Sequence, residues 1–256
     1  MTFRALALAG AAVCAMTLAV QPARADVIQL GFILDGSGSI GSNNWNIIRQ
    51  GLADAVATYI PVGGDDTYEI SVVQFGSSAT THISNFVVSD AAARTALATQ
   101  IAGLTFMNGG STNYAAAFTA MTAVLNNTIA NVDASYVNFA TDGQQNSGGT
   151  GQAQFADLLG IGVDNVSVEG IGSGVDKNDL MNNFCHPGPC VDTLPFNFPG
   201  QGFYIGVPNA QAYVDAIKIK ISTVTGVPIG VPEPATLALF GTGLLGLAAL
   251  RRRRAV

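Results

Sequence analysis

The sequence predicts an α/β protein: an open, mostly parallel six-stranded sheet with one antiparallel edge strand and helices on both faces. Three observations predict it. Short apolar, β-branched runs alternate with segments whose apolar residues recur at helical spacing. Most of the runs are apolar throughout, as strands covered on both faces must be. One run alone, Thr80–Val87, alternates polar with apolar residues and suits an exposed antiparallel edge.

The elements follow in order. Val27–Leu34 is a buried strand that runs into the glycine-rich turn Asp35-Gly36-Ser37-Gly38-Ser39. Asn44–Tyr59 places Trp45, Ile48, Leu52, Ala55, Val56 and Tyr59 on one helical face, with Ser42 or Asn43 as N-cap. Asp65 and Asp66 stand in a solvated turn before the strand Tyr68–Phe75. Gly76-Ser77-Ser78 turns that strand into the edge run, which places His82 at the surface. Ser89-Asp90 caps a helix reaching Ile101. The hydroxyl-rich turn Gly109–Asn113 opens the helix Tyr114–Leu125. The strand Tyr136–Thr141 ends in Thr141-Asp142-Gly143. A helix over Gln152–Leu159, a strand over Asn165–Ile171, a helix over Asp176–Phe184, a strand over Gly202–Val207 and a closing helix over Asn209–Ser222 complete the domain. In outline the arrangement is Rossmann-like.

Both ends read as addresses. Arg4, the apolar run Ala5–Val20 and the small residues Ala23-Arg24-Ala25 make residues 1–25 a secretory signal, cut before Asp26. Residues 223–230 read as a linker. Residues 231–256 carry Pro232-Glu233-Pro234, the uncharged stretch Ala235–Leu250, and Arg251, Arg252, Arg253 and Arg254. A helix of that length reaches about 24 Å, short of the roughly 30 Å hydrocarbon core. The arginines hold its end in the cytoplasm. The tail resembles the PEP-CTERM sorting signal of Gram-negative bacteria. The resemblance implies transient anchoring in the inner membrane and processing by an exosortase-type enzyme. It also implies release to the cell surface, the outer membrane or the extracellular matrix.

Setting aside Arg4, Arg24, Arg251–Arg254 and Glu233 leaves 5 basic and 16 acidic residues, net −11. Such a surface repels nucleic acid and anionic lipid. It also repels acidic ligands, unless a bound cation reverses the sign locally. Cys185 and Cys190, in Cys-His-Pro-Gly-Pro-Cys, read as a disulfide in an exported chain. A zinc site built on Cys185, His186 and Cys190 lacks a fourth ligand nearby.

Three loops offer oxygen donors: Asp35–Ser39, Gly109–Asn113 and Asp142–Gly143. In an open α/β sheet such loops gather at the carboxyl ends of the strands. Hard oxygens at a strand end suit magnesium or calcium. Together the loops match the D-x-S-x-S … T … D pattern of the metal-ion-dependent adhesion site in von Willebrand factor type A domains. The flanking GG-x-TN and TDG match as well. The resemblance covers nearly all of Asp26–Ser222. It implies that Ser37 and Ser39 coordinate a cation through their hydroxyls, and that Thr112 does so directly or through water. Asp35 and Asp142 act through bridging waters or from close behind. The implied ion is Mg²⁺, with Mn²⁺ or Ca²⁺ as substitutes. The implied partner is an extracellular protein supplying a carboxylate, or a matrix polysaccharide.

Two other readings use the same residues. A structural matrix protein or surface scaffold would need the cation only to steady its loops. Gly36-Ser37-Gly38-Ser39-Ile40-Gly41 also spells G-x-G-x-x-G, the dinucleotide fingerprint. The second strand, however, ends in Val73-Gln74-Phe75, without an acid for a ribose. Ser37 is not framed as G-x-S-x-G, and no enzyme activity is expected. The proline-rich segment Thr193–Pro199 fits no part of the family pattern; an insertion beside the last strand would accommodate it.

Overall fold

The computed structural model of the chain describes residues 26–107 and 109–229. The signal segment, Pro232-Glu233-Pro234, the apolar stretch and the arginine cluster lie outside the described residues. No helix among the described residues is long and apolar enough to cross a membrane. Strands β1 (Val27–Asp35), β2 (Thr67–Phe75), β3 (Ala79–Val88), β4 (Ala134–Thr141), β5 (Asn165–Ile171) and β6 (Tyr204–Val207) form one sheet. Their order is β3-β2-β1-β4-β5-β6. Only the β2–β3 pairing is antiparallel. The chain winds outward from β1 on one side and then crosses to β4 on the other. The carboxyl ends of β1 and β4 therefore open a crevice where the strand order reverses.

Helices α1 (Gly41–Tyr59), α2 (Ala91–Ala102) and α6 (Ala210–Thr225) cover one face of the sheet. Helices α3 (Tyr114–Leu125), α4 (Gln152–Gly160) and α5 (Lys177–Asn183) cover the other. The period of two along β1 divides its side chains between the layers. Leu30, Phe32 and Leu34 join the α1/α6 side, and Ile33 joins the α3 side. The α3 side is aromatic: Phe75, Tyr114, Phe118, Phe139, Phe155 and Phe184 pack with ring centroids 4.9–6.4 Å apart. Most of these pairs are edge-on or tilted, as the ring quadrupoles favour. They fix the N-terminal turn of α3 under the crevice.

Side-chain caps follow the sequence signals at Asp90, which accepts from Ala93 N, and at Asn113, which accepts from Ala116 N. Asp176 caps α5 from outside the helix, accepting from Asp179 N. The start of α1 departs from expectation. Neither Ser42 nor Asn43 is its cap: the helix already begins at Gly41, with Ile40 at the cap position and no side-chain cap bond. Gly41 has φ +67°, so glycine rather than a capping hydroxyl makes this entry. His82 also departs, being half-buried with Nε2 2.9 Å from the Gln74 side chain. The closing helix runs to Thr225, three residues into the stretch read as a linker. The last strand begins at Tyr204 rather than Gly202.

Cys185 and Cys190 are joined as a disulfide, which leaves no thiolates for zinc. The Cys-loop pairs with β5 below the short β6: Val166 N donates to His186 O, and His186 N donates to Val166 O. The proline-rich segment folds back beside it. Phe196 stacks on Phe203 with centroids 4.2 Å apart, and Phe198 meets Tyr136 edge-on at 4.7 Å.

Candidate metal centre

Backbone contacts hold the three oxygen-bearing loops together. Gly109 N donates to Gly36 O at 2.9 Å, and Gly38 N donates to Gly110 O at 2.9 Å. A Cβ on Gly76 would fall 2.5 Å from Gly109 Cα, so this approach admits no side chain. The loop after β4 is tied to the other two. Thr112 N donates to Asn146 Oδ1 at 2.9 Å, and Asn146 N donates to Thr112 O at 3.0 Å. From below, Tyr114 OH donates to Gly143 O at 2.6 Å.

The donors then converge. Ser37 Oγ and Ser39 Oγ are hydrogen-bonded at 3.0 Å, and Ser39 Oγ donates to Asp142 Oδ1 at 2.7 Å. Asp35 sits deeper. Its Oδ1 accepts from Ser37 N at 2.8 Å, and its Oδ2 accepts from Thr141 Oγ1 at 2.6 Å. Thr112 Oγ1 faces the same crevice. A Cβ built on Gly143 would lie 3.4 Å from Thr112 Oγ1 and 3.8 Å from Ser39 Oγ. Both hydroxyls thus come within ordinary contact distance of one point above Gly143. Asp35, Ser37 and Thr112 are buried, whereas Ser39 is exposed and Asp142 half-buried. The crevice therefore has a closed floor and an open rim.

Its electrostatics are one-sided. Burial pushes the Asp35 carboxyl up to about 6, against the opposing pull of bonds from Ser37 and Thr141. Burial also raises Asp142, while the Ser39 bond lowers it. No basic side chain among the described residues contributes to either shift. Among them, too, no cluster of three or more His, Cys, Asp or Glu forms. The donor set is thus two carboxylates and neutral hydroxyls, the hard oxygen chemistry that magnesium and manganese take.

The von Willebrand factor type A domain model matches residues 29–197. The chain belongs to that family. The PEP-CTERM protein-sorting motif matches residues 230–254, which implies an exported, cell-surface or extracellular protein. No curated protein matches the chain. Several solved structures share the fold. Proximal thread matrix protein 1 from the mussel byssus, with a zinc-occupied MIDAS motif, aligns with TM-score 0.59 at 20% identity over 79% of this chain and 48% of that one. A von Willebrand factor type A protein from Catenulispora acidiphila aligns with TM-score 0.57 at 14% identity over 79% of this chain and 43% of that one. The manganese-loaded TRAP protein of Plasmodium vivax aligns with TM-score 0.51 at 25% identity over 77% of this chain and 74% of that one. The chain spans about half the length of the byssus proteins it matches.

All five expected donor residues border this one crevice: Asp35, Ser37, Ser39, Thr112 and Asp142. Three supporting residues went unassigned in the sequence. Thr141 orients Asp35, Asn146 holds the Thr112 backbone, and Gly143 accepts from Tyr114 OH beneath the two hydroxyls. Thr141 and Gly143 flank Asp142 in the TDG run, the one signal pointing to them. Asn146 lies in a polar loop without pattern. The dinucleotide reading meets an obstacle in the backbone. Gly36 N, Ser37 N and Gly38 N, which a pyrophosphate would need, already donate to Phe75 O, Asp35 Oδ1 and Gly110 O.

Proposed function

We propose that the chain is an exported binding protein that engages an extracellular partner through a divalent cation held by Ser37, Ser39 and Thr112. Asp35 and Asp142 support the ion from behind and beside it. The observation that carries this reading is the convergence of the Thr112 and Ser39 hydroxyls over Gly143, backed by two carboxylates without a protein cation. The ion is Mg²⁺, replaceable by Mn²⁺ or Ca²⁺. It supplies positive charge at the rim of an otherwise acidic surface. Neutral hydroxyls bind it without quenching that charge, so it remains an acceptor for one further carboxylate from a partner. Thr141 and the Ser37 amide fix the Asp35 carboxylate, and Asp142 orients the Ser39 hydroxyl. The zinc-occupied MIDAS motif of the byssus protein and the manganese-loaded TRAP protein support a divalent cation in this fold.

The partner is an extracellular protein with an exposed carboxylate, and an acidic matrix polysaccharide is the second candidate. The experiment is a pull-down from the producing organism's matrix, in magnesium and then in chelator. Release of the captured partner by chelator supports a cation-gated contact. Equal retention in both conditions contradicts it and favours a scaffold whose cation steadies the loops.

A further inference from the structure

Between β4, β5 and α6, away from the metal centre, three polar side chains of complementary chemistry meet in the interior. Asn138 comes from β4, Glu169 from β5 and Lys220 from α6. In the sheet register Asn138 pairs with Ser167 and Ala140 with Glu169, so Asn138 and Glu169 are diagonal neighbours on one face. Lys220 reaches them from the covering helix, about two turns beyond Tyr213 on the same face. All three are almost fully withdrawn from solvent, at 4%, 0% and 3% exposure. Lys220 Nζ lies 3.1 Å from Glu169 Oε1. The Asn138 carboxamide approaches the same carboxylate, and the Tyr213 hydroxyl approaches the carboxamide. Around them stand apolar groups, with the Phe203 ring centroid 5.3 Å from Nζ.

An ion pair alone does not account for this cluster. Neither the amine, the carboxylate, the carboxamide nor the phenol completes an aligned hydrogen bond. Buried polar groups left in that state are costly, and native interiors hold few of them. Removing the amine's charge and the carboxamide's NH₂ together would relieve two of the four.

We propose that Lys220 and Asn138 condense into an intramolecular amide bond, with Glu169 carrying the proton between them. The Nζ lone pair attacks Asn138 Cγ, forming the Nζ–Cγ bond, while the Glu169 acid donates to the carbonyl oxygen. Nζ gives up a proton through the Glu169 carboxylate to the departing nitrogen. The Cγ–Nδ2 bond then breaks, ammonia leaves, and the re-forming carbonyl returns its proton to Glu169. Glu169 ends as it began, and no oxidant or other co-reactant enters. The protonation states suit the step. Burial lowers the Lys220 amine to about 8 and raises the Glu169 carboxyl, favouring a neutral nucleophile beside a protonated acid. Asn138 and Lys220 also line a cavity of about 20 Å³, room for one water-sized molecule beside the reacting groups.

The bond would join the last helix to a central strand. The sorting motif begins at residue 230, shortly after α6 ends at Thr225. Tension applied at that tail reaches α6 first, and the amide passes it to β4 instead of peeling the helix away. The inference is independent of the metal reading.

Mass spectrometry of the purified, disulfide-reduced full chain tests it. The expected mass lies one ammonia below that of its own sequence. Trypsin should then leave the Lys220–Ile221 bond uncut and yield a branched peptide joining Asn138 to Lys220. Glu169→Gln, which cannot relay the proton, should restore the full mass and the cleavage. A wild-type chain of unshifted mass, cut after Lys220, overturns the proposal whether or not the variant folds. A Glu169→Gln chain that still carries the branched peptide overturns the role given to Glu169.

Discussion

Two regions of the molecule bury carboxylates, and they settle the charge in opposite ways. At the crevice, Asp35 and Asp142 lie among hydroxyls under an open rim, and their raised pKa values have no protein cation opposing them. Beneath α6, Glu169 is sealed in and carries Lys220 with it. A third case sharpens the contrast. Glu69, also buried, is satisfied by neutral donors, with Gln29 Nε2 at 3.0 Å and the Thr128 hydroxyl against the same oxygen. The fold can therefore quench a buried acid when solvation alone is at stake. The crevice acids have no cation of their own, and the proposed function supplies one from outside.

The largest expected effect breaks the interior cluster. Lys220→Ala would remove both the group that faces Glu169 and the proposed link to Asn138, leave the carboxyl unpartnered in an apolar layer, and destabilise the chain by about 3–5 kcal/mol. Chemical denaturation should show it. Asp142→Ala at the half-exposed rim should stay within about 0.5 kcal/mol in chelator. Equal losses at both positions would erase the contrast. Next comes the response to ions. Mn²⁺ at a hundred times its Kd should stabilise the wild-type chain by about 2.7 kcal/mol in thermal unfolding. The same addition should leave Asp142→Ala unmoved.

A smaller effect is expected one layer back. Thr141→Val removes the hydroxyl that orients Asp35, and should weaken cation binding about 10- to 100-fold while the fold persists. The pH dependence is milder. Asp35 holds its proton more tightly when folded, so without a cation its contribution to stability is full below about pH 4. That contribution fades as the pH rises through about 6. An ion held at the proposed site would compete with this proton. Cation affinity should fall as the pH drops below about 6, and thermal shifts in Mn²⁺ across that range would reveal it.

The sheet and its edge were legible because each strand announces itself locally, by apolar runs between glycine-rich turns. The proposed donors were nameable for a different reason: Asp35, Ser37, Ser39, Thr112 and Asp142 fall in three glycine-rich stretches whose order matches one family pattern, although each stretch alone reads as an ordinary turn. What was not legible depends on who faces whom. Ser42 and Asn43 look like helix caps, yet Gly41 starts the helix because its backbone turns where theirs would not. Lys218 and Lys220 look alike in Ile217-Lys218-Ile219-Lys220; only the packing of α6 on β5 separates the buried one from the other. Phe196 and Phe198 sit in a proline-rich run without period, and their partners Phe203 and Tyr136 emerge only in the folded chain.

Calorimetric titration of Mg²⁺, then Mn²⁺, into the full chain and into Asp142→Ala tests the central claim most directly. Saturable binding of one ion by the wild-type chain, and its loss in the variant, is the expected outcome. No heat with either ion, or identical binding by both chains, would contradict it.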